Sequence, residues 1–331
     1  MSRTLYCLAF LLVVMPTSAS AQPRTHRHTP TAGVPTFAAR PPVLRVAPGD
    51  IVETETYSHS DDYYARAGGT WPGEVGPFHI EGVVPGDTLV VKVLRLRLNR
   101  DTAVSAVNPG GISAVAADAR TRMLNDPLPP RRYEWRLDRA RNVGILDLPA
   151  SASRRIEIPL RPMLGRVAVA PAGEESWGGL WPGNFGGNMD ASDIREGVTV
   201  YLPVFHEGAL FYFGDIHAAQ GDGEIVGSGL ETTADVTFQF DVIKGQRIAW
   251  PRIEDDEYLM VAGSARPLVD AFRIAHVELI DWLVADYGFD RMDAYQVLSQ
   301  VGVTRVANVV DPNYTVVAKF PKVLLPPRVV R

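Results

Sequence analysis

A mainly β domain with a small helical element near its C-terminus is the fold predicted by three observations. Short β-rich segments, several of them alternating apolar and polar, recur from residue 43 to residue 262. The 331-residue chain holds 29 glycines and 26 prolines, enough to turn between many short strands. Helical periodicity is confined to one stretch, residues 267–301.

The elements follow in order. Val43, Arg45 and Ala47 lead into the turn Pro48-Gly49-Asp50, and residues 51–56 alternate as a strand. Residues 78–82 form a short strand before a second turn, Pro85-Gly86-Asp87. Residues 88–98 make a long strand whose apolar phase changes at Val93-Leu94, which predicts a bulge there. Residues 100–150 are less regular, with strands at 133–137 and 143–148. Strands follow at 156–160 and 167–170. Residues 172–188 are a loop dense in Gly, Trp and Asn, and a loop of that length within a compact domain marks a functional segment. Further strands are predicted at 198–203, 209–213, 236–242, 247–250 and 258–262. Residues 267–287 read as a helix ended by Gly288, and residues 290–301 as a second, capped by Asp290 and ended by Gly302. Residues 303–320 return to strand.

The N-terminus reads as a secretion signal. Arg3 precedes an apolar run at residues 5–15, and Ser18-Ala19-Ser20-Ala21 supplies small residues for cleavage after Ala21. The run is too short to span about 30 Å of hydrocarbon comfortably. Residues 1–21 are therefore expected to be a signal peptide, residues 22–40 a flexible leader, and residues 41–325 the domain. A periplasmic or secreted location follows, with no membrane association after cleavage. The one cysteine, Cys7, falls inside the signal, so a cysteine nucleophile is not expected. The net charge of -5 argues against a nucleic-acid partner.

Chemistry concentrates in Gly214-Asp215-Ile216-His217-Ala218-Ala219-Gln220-Gly221-Asp222-Gly223-Glu224. Imidazole and carboxylates on a glycine-rich segment suit Zn²⁺ or a similar divalent ion, and equally suit a polar turn loop. A second cluster runs from Gly186 to Asp193 and includes Asn188 and Asp190. A third is His59-Ser60-Asp61-Asp62. His79 and Glu81 lie two apart on a strand and so share a face. Gly227-Ser228-Gly229 is only a fragment of a serine nucleophile turn. Trp71, Trp177 and Trp181 admit a rival reading, a secreted β-sandwich module that binds a glycan or other ligand around a structural metal.

These segments carry a family resemblance. Gly187-Asn188-Met189-Asp190, Val200-Tyr201-Leu202-Pro203-Val204, Glu207-Gly208-Ala209-Leu210-Phe211 and the run from Gly214 to Glu224 resemble the central signature of the acetamidase/formamidase family. Gly76-Pro77-Phe78-His79-Ile80-Glu81-Gly82, Val167-Ala168-Val169-Ala170-Pro171 and Val309-Val310-Asp311-Pro312 match as well, and the resemblance runs from about residue 40 to 322. It implies a jelly-roll-like β-sandwich, hydrolysis of short amides to carboxylate and ammonia, a homo-oligomer, and a divalent metal, Zn²⁺ with Ca²⁺ as the alternative. On that basis His217, Asp190, Asp222 and Asp215 are the expected metal ligands. Glu224 or Glu81 is the expected general base, and Asn188 an oxyanion donor. Two segments depart from the family pattern: residues 59–71, and the Trp-rich loop at 177–188, where a shorter Pro/Gly stretch is expected.

Overall fold

The computed structural model describes residues 22–58, 63–64, 71–107, 115, 126 and 128–329. Residues 1–21, expected to be a signal and holding Cys7, and the His59 to Asp62 cluster lie outside the described residues. Two large sheets form the body. A 9-stranded sheet runs in the order Thr25–Arg27, Ile51–Glu55, Ala234–Ile243, Thr88–Leu98, Thr199–Pro203, Arg252–Glu254, Tyr258–Ala265, Tyr314–Pro321, Val303–Asn308. An 11-stranded sheet is built around Phe211–His217, which pairs antiparallel with Met163–Ala168, Val75–Ile80 and Glu231–Thr232. The fold is mainly β, as the sequence predicts.

Period-2 alternation makes three layers from these pieces. In Tyr258–Ala265, Met260 and Ala262 face the core between the sheets, while Leu259 and Val261 face the helices. Phenylalanines join the sheets: Phe213 meets Phe238 at 5.0 Å and Phe211 meets Phe240 at 5.2 Å, both edge-on. On the outer face lies α1, Leu268–Tyr287, burying Ala271, Ala275, Leu279, Trp282 and Leu283 against Val261, Ala318 and Phe320. Gly288 ends α1 in the left-handed conformation with φ 68°. Then α2, Arg291–Val301, begins at Asp290, whose carboxylate accepts the N–H groups of Met292 and Asp293. Among the described residues no helix is long and apolar enough to cross a membrane.

The bulge is present: Thr237 pairs with Arg95 and Phe238 with Val93, so Leu94 is skipped and turns to solvent. Three local expectations need correction. Residues 22–40 carry two strands, Thr25–Arg27 on Ile51–Glu55 and Thr36–Ala38 on Ser176–Gly178. The first is held by the buried Asp50, which takes the Arg24 N–H at 2.9 Å and lies 2.7 Å from His26 Nε2. Residues 247–250 are not a strand; pairing begins after Pro251, which has no N–H to give a ladder. The strand read at 209–213 is Phe211–His217, because Ala209 and Leu210 turn at positive φ.

One buried ion pair fastens α1 to the sheet. Arg252 donates from Nε and Nη2 to Glu278 Oε1 at 3.0 and 2.7 Å, and its guanidinium lies 5.0 Å over Trp282. Burial pushes the Glu278 carboxyl up, and Arg252 offsets part of that. Removing one partner strands the other charge. Glu278→Ala is expected to cost about 3–5 kcal/mol in a urea titration. A loss below about 1 kcal/mol would show that the pair does not anchor the helix.

Candidate functional site

Five separate stretches converge at one end of the Phe211–His217 strand. That strand supplies Asp215 and His217, two apart and therefore on one face. Its neighbour Met163–Ala168 supplies Arg166. Asn188 ends the strand Gly186–Asn188, and Asp190 follows with φ 48°. The loop after His217 and the strand beyond it supply Glu224 and Glu231. Asn308 and Asp311 arrive from the other sheet, at the turn between Val303–Asn308 and Tyr314–Pro321. Glu74 stands just ahead of Val75–Ile80. Of the seven described non-glycine residues at positive φ, Asp190, Asp215 and Glu224 belong to this cluster, so backbone strain is concentrated here.

Six carboxylates are thus buried together, those of Glu74, Asp190, Asp215, Glu224, Glu231 and Asp311, with Arg166 and His217 as the cationic side chains among them. Arg166 Nη1 donates to Glu74 Oε1 at 2.8 Å, and its Nε lies 3.4 Å from Asp215 Oδ2. His217 Nε2 lies 3.4 Å from Asp215 Oδ1 and 3.2 Å from Glu231 Oε1. Burial and mutual repulsion push most of these acids up. Asp190 is raised well above its usual range by burial and by Asp311 and Asp215. Glu224 is raised likewise by burial and Asp190, and Asp311 by burial and Glu224. Burial lifts Glu74 to about 7 against the pull of Arg166, and lifts Glu231 against the pull of His217. Asp215 alone falls, because Arg166 and His217 together outweigh its burial.

The histidine is oriented by an amide. Gln220 spends both N–H bonds on the carbonyls of Asp190 and Ala307, at 2.8 and 3.1 Å. Its Oε1 then faces His217 Nδ1 at 2.8 Å, so Nδ1 carries a proton and donates it. Nε2 is left to face the carboxylates. Burial opposes charge on the ring, but Glu231 and Asp215 raise its pKa well above the usual value.

Two donor sets fall within reach of a single ion: Asp190, His217 and Glu224, and Asp215, His217 and Glu231, each set with its ligand atoms within 4.8 Å of one another. His217 belongs to both. Among the described residues, Asp190 Oδ1, His217 Nε2, Glu231 Oε2 and Asp311 Oδ1 are buried with no hydrogen-bond partner. Oxygen and imidazole donors left unpaired in a net-negative cluster fit a divalent cation.

The structure brings together five of the residues read from sequence: Asn188, Asp190, Asp215, His217 and Glu224. It places two elsewhere. Asp222 is exposed and pairs with Arg305 at 2.7 Å. Glu81 is exposed in the turn beyond Val75–Ile80. Register explains this: Val75 pairs with Phe213 and Phe78 with Phe211, so the Glu74 end of the strand abuts the cluster, and Glu81 lies about 20 Å along it. The oxyanion role for Asn188 also needs correction, because its N–H groups are already donated to Asp190 Oδ2 at 2.9 Å and Asp311 Oδ2 at 2.7 Å. Its Oδ1 accepts from Arg166 Nε at 2.5 Å. Ser228 is tied to the Ala106 backbone by two hydrogen bonds. Glu74, Arg166, Glu231 and Asp311 were missed. A single arginine in the apolar run Met163-Leu164-Gly165-Arg166-Val167 was the one local signal for Arg166.

Residues 164–325 match the family described as Acetamidase/Formamidase. The crystal structure of an acetamidase from Yersinia enterocolitica superposes with a TM-score of 0.82 at 36% identity, over 93% of this chain and 95% of that one. The curated relatives match over shorter spans. An acetamidase of Mycolicibacterium smegmatis is 42% identical over 65 residues, 19% of this chain and 16% of that protein. A formamidase of Methylophilus methylotrophus is 25% identical over 191 residues, 46% of this chain and 47% of that protein.

Glycine makes room for the cluster. A Cβ on Gly165 would stand 2.7 Å from both Asp190 Oδ1 and Asp215 Oδ2, and one on Gly229 would stand 2.4 Å from His217 Nδ1. Gly165→Ala should therefore destabilise the protein by about 1–3 kcal/mol in urea. Gly221→Ala, whose Cβ meets nothing within 4 Å, should change stability by less than about 0.5 kcal/mol. Equal effects at the two positions would contradict the close packing described.

Proposed function

Because this chain belongs to the acetamidase/formamidase family, we propose that it is an amide hydrolase whose centre is the carboxylate cluster around His217, and that it requires a divalent metal, Zn²⁺ in the first instance. One observation carries the metal requirement: His217 Nε2, Asp190 Oδ1 and Glu231 Oε2 are buried without a hydrogen bond, and His217 falls in two donor sets, one with Asp190 and Glu224 and one with Asp215 and Glu231. His217, Asp215 and Glu231 would hold the ion. A cation bound there supplies Lewis-acid activation, lowering the cost of deprotonating water and of developing negative charge on the carbonyl oxygen.

The chain's own groups do the remaining work. Glu224 lines the cavity beside the cluster and is the general base. Burial and the neighbouring Asp190 raise the affinity of its carboxylate for a proton, which strengthens it as a base once a bound cation has favoured its ionised form. The water oxygen bonds to the amide carbon, the C–N bond breaks, the returned proton goes to nitrogen, and ammonia leaves behind a carboxylate. Arg166, which also lines the cavity, is the fixed positive side chain available to the carbonyl oxygen. Gln220 keeps Nε2 of His217 presented to the ion. The site of action is outside the cytoplasm, on the strength of Arg3, the apolar run at 5–15 and the small residues before Gln22.

Two measurements test this. Ammonia release from a panel of primary amides should vanish on chelation and return with Zn²⁺, and the thermal midpoint should rise and fall in step. Glu224→Gln should lower kcat by about 10²- to 10⁴-fold while the zinc-dependent rise in midpoint persists. Full turnover after exhaustive chelation would remove the metal from the mechanism. Full activity of Glu224→Gln would remove Glu224.

A further inference from the structure

The segment ending at Trp71 and the Trp-rich loop at 177–188 meet at the same cavity. Tyr63 and Trp71 come from the first, and Gly179 and Leu180 from the second. With Pro35 and Ala106 they form the wall above Glu224, Glu231, Asp215 and Arg166. The cavity holds about 470 Å³. Volumes of about 300–1,000 Å³ enclose drug-sized ligands, and a two-carbon amide would leave most of this space unfilled.

The wall is braced. Tyr63 and Tyr64 meet Trp71 edge-on, with ring centroids at 5.6 and 6.0 Å. The Arg166 guanidinium lies 4.4 Å over the Trp71 ring. Trp177 and Trp181 pack against each other at 4.9 Å on either side of Leu180, which fixes the loop that carries it. These two tryptophans are therefore loop packing, and of the three tryptophans Trp71 is the one that lines the cavity, beside Tyr63. Polar groups gather at the floor and apolar groups at the wall. An amide bound with its carbonyl at the carboxylate cluster would lay its acyl substituent along Trp71, Tyr63 and Leu180.

We infer that the site takes primary amides with a bulky, apolar acyl group of arylacetamide size in preference to formamide or acetamide, with Trp71 and Leu180 as specificity-determining residues. This rests on the amidase reading above. Extra apolar surface buried in such a pocket is worth 10-fold or more in kcat/KM.

The test compares phenylacetamide with acetamide on the purified, zinc-supplemented protein. The expected kcat/KM ratio is at least about 10 in favour of phenylacetamide. Leu180→Trp, which fills the cavity, should lower that ratio by about 10-fold, and Ala106→Leu is a second filling variant from the strand Thr102–Val107 should the first not fold. A ratio near or below one in the native protein overturns the inference, as does a ratio untouched by both filling variants. Calorimetry with the same two amides separates this inference from the amidase reading. Binding of phenylacetamide but not acetamide, with neither turned over, retains the cavity's preference and rejects amide hydrolysis. Neither binding nor turnover rejects both.

Discussion

Arg166 lies beneath the cluster that also contains Glu74, Asp190, Asp215, Glu224, Glu231 and Asp311, and it cannot neutralise six acids. Charges removed from water repel strongly, so either protons or cations must make up the difference. Much of the surrounding architecture is arranged to keep the acids together regardless. Gly165 and Gly229 withhold a Cβ where one would strike an acid or the imidazole. Asp190, Asp215 and Glu224 accept unfavourable backbone angles to reach the same point. Asn188 and Gln220 hold fixed amide orientations between them.

Such a cluster needs a rigid frame, and the two sheets provide it. Two of the phenylalanines that join them, Phe211 and Phe213, belong to the strand that carries Asp215 and His217. Helix α1 covers the far face of the second sheet and stays clear of the chemistry. Rigid strands hold the ligating groups, while the substrate wall is drawn from loops, so the cavity can vary without disturbing the centre.

Most of the long strands and both helices were legible because their signals are local: alternation, the Asp290 cap, the Gly288 stop and the phase change at Leu94. The run from Gly214 to Glu224 gave Asp215, His217 and Glu224 for the same reason, since one tight segment carries all three. Glu81 and Glu74 show where local reading ends. Both flank the strand Val75–Ile80, which the sequence places three residues late at its start, and only its register against Phe211–His217 decides which end meets the site. Glu231 and Asp311 depend on long-range pairing in the same way. Asp222, two residues from Glu224, shows the converse: sequence proximity to a buried acid did not prevent its side chain from turning to solvent and Arg305.

Ala307, Asn308 and Asp311 close the cluster from the second sheet, and they are synthesised long after Arg166, His217 and Glu231. During translation the earlier acids emerge without the carbonyl and amide groups that fix Gln220 and Asn188. Until the Val303–Asn308 and Tyr314–Pro321 hairpin docks, Gln220 lacks its Ala307 acceptor and Asn188 its Asp311 acceptor. A chain cut short before residue 303 would keep five of the six acids and lose the groups that orient them, so the geometry of the centre depends on both sheets at once.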